Sequence, residues 1–270
     1  MRFLIRFLCV YVFVILANTS YSQCVEKVNS FKPGEKIYYE AYYNWGFIWI
    51  HAGDVLFTVN QKVYNNRNVY YFDATGNSVK KYDWLYKVRD RFQSMVDMQT
   101  FNPVWAERNT QEGSYKAYEK YEFNPNGKIN TIVENSTKPY KRDSLKASSC
   151  TFDVLSLIYN FRAINFEKFK PNEKIPIKII LDNQLYSLYV RYLGKEVIKN
   201  RDGKKYRCIK VSALLVEGTI FKGGEDMLIW ITDDDNRIPV LVQAKILIGS
   251  VKACLSKVEG ASHEIKAIVK

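Results

Sequence analysis

The stretch WITDDDNRIPVLVQAKILIGSVKACL, residues 230–255, decides the fold. An apolar run ends at Ile231, and five polar residues, DDDNR at 233–237, follow it. Pro239 then opens a second, longer apolar run rich in β-branched side chains. Proline has no amide proton to give to a ladder, so the first residue of a strand is where it is tolerated. The pattern predicts two strands joined by a charged hairpin turn. In the second, over 240–248, Val240, Val242, Ala244, Ile246 and Ile248 would share one apolar face.

Working outward, the same signals recur along most of the chain. From Ile37 the residues alternate, with Ile37, Tyr39, Ala41, Tyr43 and Trp45 on one side of a strand. Turn chemistry punctuates the rest of the chain at Asn65-Asn66, Asn102-Pro103, Asn124-Pro125-Asn126-Gly127, Asp182-Asn183 and Asp202-Gly203. One segment has a helical period. Val154, Leu157, Ile158 and Phe161 fall at i, i+3, i+4 and i+7, with Thr151 as the expected N-cap and Asp153 in the first turn. The polar run 135–150 before it reads as a long exposed connection. The expected architecture is mainly β: a strongly curved, half-barrel-like antiparallel sheet with one main helix packed on it. Two small sheets are the alternative.

The first residues have the form of a leader. Arg2 and Arg6 precede an apolar run at 8–17 that is too short to span a bilayer, and Ser20-Tyr21-Ser22 supplies small residues for cleavage before Gln23. A lipoprotein cut before Cys24 is the rival, but Gln23 and Tyr21 stand where that site needs a small and a branched apolar residue. The expected division is a signal peptide over 1–22 and a single β-rich domain over 23–270, two meander halves joined through a helix near 151–162. No later segment holds eighteen consecutive apolar residues, so no transmembrane helix is expected in the mature chain. The leader carries two basic residues and no acid, so its loss lowers the net charge of +12 by two. Such a balance suits an anionic lipid headgroup or acidic glycan, and export argues against nucleic acid. The plainer reading is that dispersed charge keeps the protein soluble.

Beyond the leader the cysteines are Cys24, Cys150, Cys208 and Cys254, with no CxxC. In an oxidising compartment they allow three complete pairings. Cys208 and Cys254 each lie on the polar side of their predicted strand, which favours pairing of these two.

The blocks FKPGEKIYYEAYYNWGFIWIHAGDVLFTV (31–59), KIPIKIILDNQLYSLYVRYLGKEVI (174–198) and TIFKGGEDMLIWITDDDNRIPVLVQAKILIGSVKACLSKVEG (219–260) resemble a bacterial family known as domain of unknown function 3108. The resemblance spans most of the mature chain. It implies an exported β-rich protein, placed in the periplasm or outer envelope of a Gram-negative bacterium, and carries over no catalytic residues. A curved sheet around a helix is also similar in architecture to periplasmic lipoprotein carriers of the LolA type.

Motifs that carry chemistry are few. His51 and His263 have no partner at ligand spacing, and residues 233–236 lack the alternation, glycine and closing glutamate of an EF-hand loop, so no metal or cofactor is expected. Ser78 and Lys81 match S-x-x-K without its companion motifs, and there is no GxSxG, P-loop or GxGxxG. Asn135-Ser136-Thr137 is a sequon, and Asp143-Ser144-Leu145 resembles a short O-glycosylation acceptor.

Aromatics are the informative excess: 20 Tyr, 15 Phe and 5 Trp, crowded where both faces of one strand carry rings. Filling a β core is the bland explanation. The sharper one is a groove lined by Trp45, Trp49, Trp84 and Tyr86 with a basic rim, holding an apolar or amphipathic ligand such as a lipid or glycolipid. The expected function is therefore non-enzymatic ligand binding in the envelope. An envelope structural or interaction protein with a filled core is the alternative, and a glycan hydrolase comes third. A deep apolar pocket in the concave face marks the first, a packed interior the second, and two facing carboxylates in a cleft the third.

Overall fold

The computed structural model describes residues 30–45, 48–215, 224–246 and 249–269. The expected leader, its cut after Ser22 and Cys24 lie outside these. The first half of the chain is a meander of eight strands: β1 (Lys36–Trp45), β2 (Ile48–Tyr64), β3 (Arg67–Ser78), β4 (Val88–Asp97), β5 (Pro103–Glu112), β6 (Tyr115–Phe123), β7 (Lys128–Asn135) and β8 (Lys138–Lys146). The short β9 (Thr151–Phe152) leads into helix α1 (Val154–Arg162). The second half is β10 (Lys174–Leu181), β11 (Gln184–Lys199), β12 (Lys205–Leu215), β13 (Gly224–Thr232), β14 (Pro239–Lys245), β15 (Ser250–Glu259) and β16 (Ile268–Val269).

All sixteen strands belong to one sheet, ordered β8-β7-β6-β5-β4-β3-β2-β1-β15-β14-β13-β12-β11-β10-β9, with β16 beside β12. This settles the choice between one sheet and two. The chain winds out from β1 to one edge, crosses through α1 to the other edge, and winds back until β15 pairs with β1. Every neighbouring pair is antiparallel except β9 with β10.

Turn chemistry explains the hairpins. Asn65 and Asn66, and again Asp182 and Asn183, hold positive φ at both central positions, the conformation that matches the twist of two-residue hairpins. Gly53 is needed for a different reason: a Cβ there would sit 2.4 Å from the Asn77 carbonyl oxygen. Ile37 and Tyr39 of β1 are both buried, as the alternation requires. A bulge at Ala52 of β2 shifts the pairing after Ala41, and the Tyr42 hydroxyl, on the other face, donates to Glu40.

Three further expectations need correction. Residues 138–146 form the edge strand β8 rather than a loop; its lysines and arginine suit an edge that must not pair further. Thr151 is in β9, and the helix cap is Asp153, whose carboxylate accepts from the Leu155 and Ser156 amides. Ile246 lies beyond the end of β14, in the turn where its amide bonds the Gly249 carbonyl.

The concave side is filled. Leu155 and Tyr159 of α1 pack with Phe31, Val59, Phe72 and Val96, and the Phe72 and Tyr159 rings stack 3.8 Å apart. A second cluster beneath the other half of the sheet includes Phe161, Phe166, Val190 and Ile209. Arg162, at the end of α1, is buried against Glu35, whose two oxygens it grips at 2.5 and 2.9 Å. It also donates to the backbone carbonyls of Ser30 and Asn236.

Candidate functional site

The two edges of the sheet meet without a ladder. Instead the Asp182-Asn183 turn presses onto the inner face of β5 to β8. Arg108 bridges Glu119 at 3.0 Å and Asp182 at 3.1 Å. The Asn183 side chain accepts from Thr131 and donates to Asp143, and Tyr121 donates to Glu119. Ala106, Tyr121, Ile129 and Ile180 pack beside this seam. Burial pushes the Glu119 carboxyl up to about 7, with Asp182 adding to the shift. Burial also opposes the charge on Arg108, but there the neighbouring carboxylates outweigh it. The enclosed space here is about 20 Å³, room for one water. Glu119 and Asp182 are thus a latch between sheet edges, with no cleft between them for a sugar.

Of the four aromatic residues expected to line a groove, Trp84 and Tyr86 stand out into solvent. Trp45 ends β1, paired through its backbone with Ile48, and its side chain lies outside what is described. Trp49 is half-buried, with the Lys252 ammonium 4.2 Å above its ring. Trp84 is 82% exposed and Tyr86 51% exposed, both in the connection from β3 to β4.

These residues share one end of the sheet. Because β1, β2, β3 and β15 run antiparallel, the β1–β2 hairpin, the β3–β4 connection and the β14–β15 hairpin all open in the same direction. The Val79 amide bonds the Ala52 carbonyl, and a Cβ on Gly249 would be 3.1 Å from the Asn44 carbonyl oxygen. The β3–β4 connection thus starts beside β2, and the β14–β15 hairpin ends beside β1. Large apolar side chains stand out at this end: Ile48 at 66% exposed, Trp84, and Leu85 at 57%.

The β3–β4 connection is held from beneath. Lys80–Tyr82 form a short 3-10 turn, and the Leu85 and Tyr86 amides bond back to the Tyr82 carbonyl at 2.9 and 3.1 Å. Asp83 accepts from the Ser78 hydroxyl and from Arg89, which together hold its carboxyl below the usual range. The Ser78 hydroxyl accepts in turn from the Val88 amide and Arg89, both at 2.9 Å. Ser78 is thus a structural hinge pin, not an S-x-x-K nucleophile. Lys80 and Lys81 are exposed, and Lys87, half-buried, follows Tyr86. Sequence reasoning singled out Trp84 and Tyr86 but missed Ile48 and Leu85; their position beside turn residues at one end of adjacent hairpins was the available signal.

Cys208 and Cys254 are free and buried, so the expected pairing is not formed. They lie on strands three places apart in the sheet. Three strand spacings are roughly 14 Å, well beyond the reach of a disulfide. Cys150 is disulfide-bonded; its partner lies outside the described residues. Among the described residues no group of three or more His, Cys, Asp or Glu is placed to hold a metal ion, and no helix is long and apolar enough to cross a membrane.

The family described as "Protein of unknown function (DUF3108)" matches residues 38–256. The chain belongs to that family. No curated protein matches it. Among solved structures it is similar to a beta-barrel-like protein of domain of unknown function DUF1849 from Brucella abortus, at 9% identity and a TM-score of 0.53, covering 87% of this chain and 98% of that one. At that identity the likeness shows the fold alone: this DUF3108 chain shares a barrel-like curved sheet with a protein of another uncharacterised family.

Proposed function

We propose that this protein is a non-enzymatic component of the exported envelope compartment that binds an apolar or amphipathic partner on its rim, not inside its sheet. One observation carries the reading. Trp84 and Leu85 stand exposed on a hydrogen-bonded platform, while the concave interior has its space taken by α1 and stacked rings. Exposing such residues is unfavourable by about 25 cal/mol per Å² of apolar surface, and a natural surface rarely keeps a contiguous apolar patch without using it. The disulfide at Cys150 supports an oxidising compartment, in line with the leader-like first residues.

A photoreactive amino acid placed at position 84 tests this in the producing cells. Cross-linked adducts at 84, with none at the exposed Val63 near the opposite end, are the expected outcome. Equal labelling at both positions, or none at either, removes the rim as the working surface.

A further inference from the structure

Taking the rim as the working surface, we propose that its partner is an anionic phospholipid bilayer, into whose interface Trp84, Leu85 and Ile48 insert while lysines around them meet the headgroups. The inference rests on the rim reading and adds the chemistry of the occupant.

Three features converge on lipid. The exposed side chains are a tryptophan and two aliphatics at the tips of adjacent hairpins. That places small apolar wedges at one end of the sheet without the broad flat surface that a protein interface of useful size needs. Tryptophan, with an apolar body and one N–H, belongs at the boundary between hydrocarbon and headgroups.

The charge around the wedge is positive. Residues 79–89 hold four basic side chains and a single acid, and that acid, Asp83, is taken by Arg89. Lys80, Lys81 and Lys87 then flank Trp84 and Leu85 in the chain. On the neighbouring hairpin Lys252 covers Trp49, while Lys245 is paired with Asp226 at 3.2 Å. Long lysine stems can reach headgroup phosphates while their methylenes lie along apolar surface. A second copy of this chain, itself strongly basic, would meet this patch with like charge.

The contrast between the two ends of the sheet is the third feature. The turns at the far end are polar: Asn65-Asn66, 124–127, 201–204 and 233–237. The large apolar side chains exposed at that end, Val63 and Val197, stand on strands far apart in the sheet order, whereas Trp84 and Leu85 adjoin. A rigid platform also matters. The bonds from Asp83 to Ser78 and Arg89 fix the backbone that presents Trp84, so insertion needs no further ordering of the loop.

Flotation of the exported protein with vesicles tests the proposal. The protein should float with vesicles of phosphatidylglycerol and phosphatidylethanolamine, and the tryptophan emission should shift to the blue. Pure phosphatidylcholine should bind far less, and about 0.5 M salt should reduce binding to the anionic vesicles. Trp84→Ala with Leu85→Ala should lower partitioning at least about ten-fold. Lys80→Gln, Lys81→Gln and Lys87→Gln together should lower it on the order of 100-fold. Val63→Ala should change nothing. All substituted side chains are exposed or, for Lys87, half-buried, and unchanged thermal melts confirm that folding is intact. Failure to float with anionic vesicles, equal binding to phosphatidylcholine, or full binding by the Trp84/Leu85 variant overturns the proposal. If position 84 still cross-links in cells, but to a protein, the rim reading survives and the bilayer does not.

Discussion

Arg162 sits where three distant parts of the chain meet: the lead into β1, the end of α1 and the turn at 233–238. Its guanidinium binds Glu35 in parallel and donates to two carbonyls, a fork that lysine cannot reproduce. Both charges are fully buried. Removing one therefore leaves the other stranded, and Arg162→Met should cost about 3–5 kcal/mol in urea unfolding. Arg162→Met combined with Glu35→Met should recover much of that loss; additive losses would mean that the side chains act separately. The aspartate run is tied to the same place. Asp234 accepts from Thr232, from the Asn236 amide and from the Ala267 amide, so it is a scaffold for the turn rather than a solvated charge. Asp234→Ala should destabilise by about 1–3 kcal/mol; a change within about half a kcal/mol, as for an ordinary surface substitution, would return it to the solvated class. Burial pushes the Cys208 thiol up to about 12 and raises Cys254 as well. Both should react with a maleimide only after unfolding.

At the level of elements, the hairpins were legible because each turn has local chemistry of its own. The paired asparagines, Asn-Gly and Asp-Gly need no tertiary context to favour positive φ. The helix was legible too, since its apolar period needs only a short window, but the cap was displaced by two. Thr151 and Asp153 are both good caps; what chooses Asp153 is the pairing of Thr151 and Phe152 with β10 and the hydroxyl of Ser94, 59 residues earlier. Asp153→Ala should cost about 2–4 kcal/mol, combining a lost cap with the stranded Ser94 and Ser156 donors. Asp153→Asn, which keeps an acceptor, should cost less; equal losses would point to charge instead of capping. The edge strand β8 was hidden by the property that lets it be an edge. Its side chains are charged on both faces, so no alternation shows. Ile246 misled in the opposite sense: its side chain continues the apolar rhythm of β14 past the last paired residue, Lys245.

The whole molecule closes without hydrogen-bonding its two edges, and that closure was invisible in the sequence. Asp182 showed only as a turn residue, Asp143 only as part of a short acceptor motif, and Arg108 and Glu119 not at all, because nothing local brings the β10–β11 turn onto β5 to β8. The seam has a consequence for pH. Glu119 is raised to about 7 by burial, whereas in the unfolded chain a glutamate titrates near about 4.3. Below both values the carboxyl is neutral in either state, and its contribution is fully present. As pH rises toward 7 the unfolded chain releases the proton first, so stability falls across that window. Asp90, raised to about 6 by burial and by Glu112, acts in the same direction over a slightly lower range. Glu119→Gln keeps the side chain neutral throughout. Its melting temperature, relative to the unaltered protein, should therefore climb between about pH 4.5 and 7 and level off above. A difference independent of pH would mean that Arg108 and the Tyr121 hydroxyl hold the carboxylate ionised in the folded state. The seam would then be an ordinary buried ion pair, and the loss in Glu119→Gln would be constant.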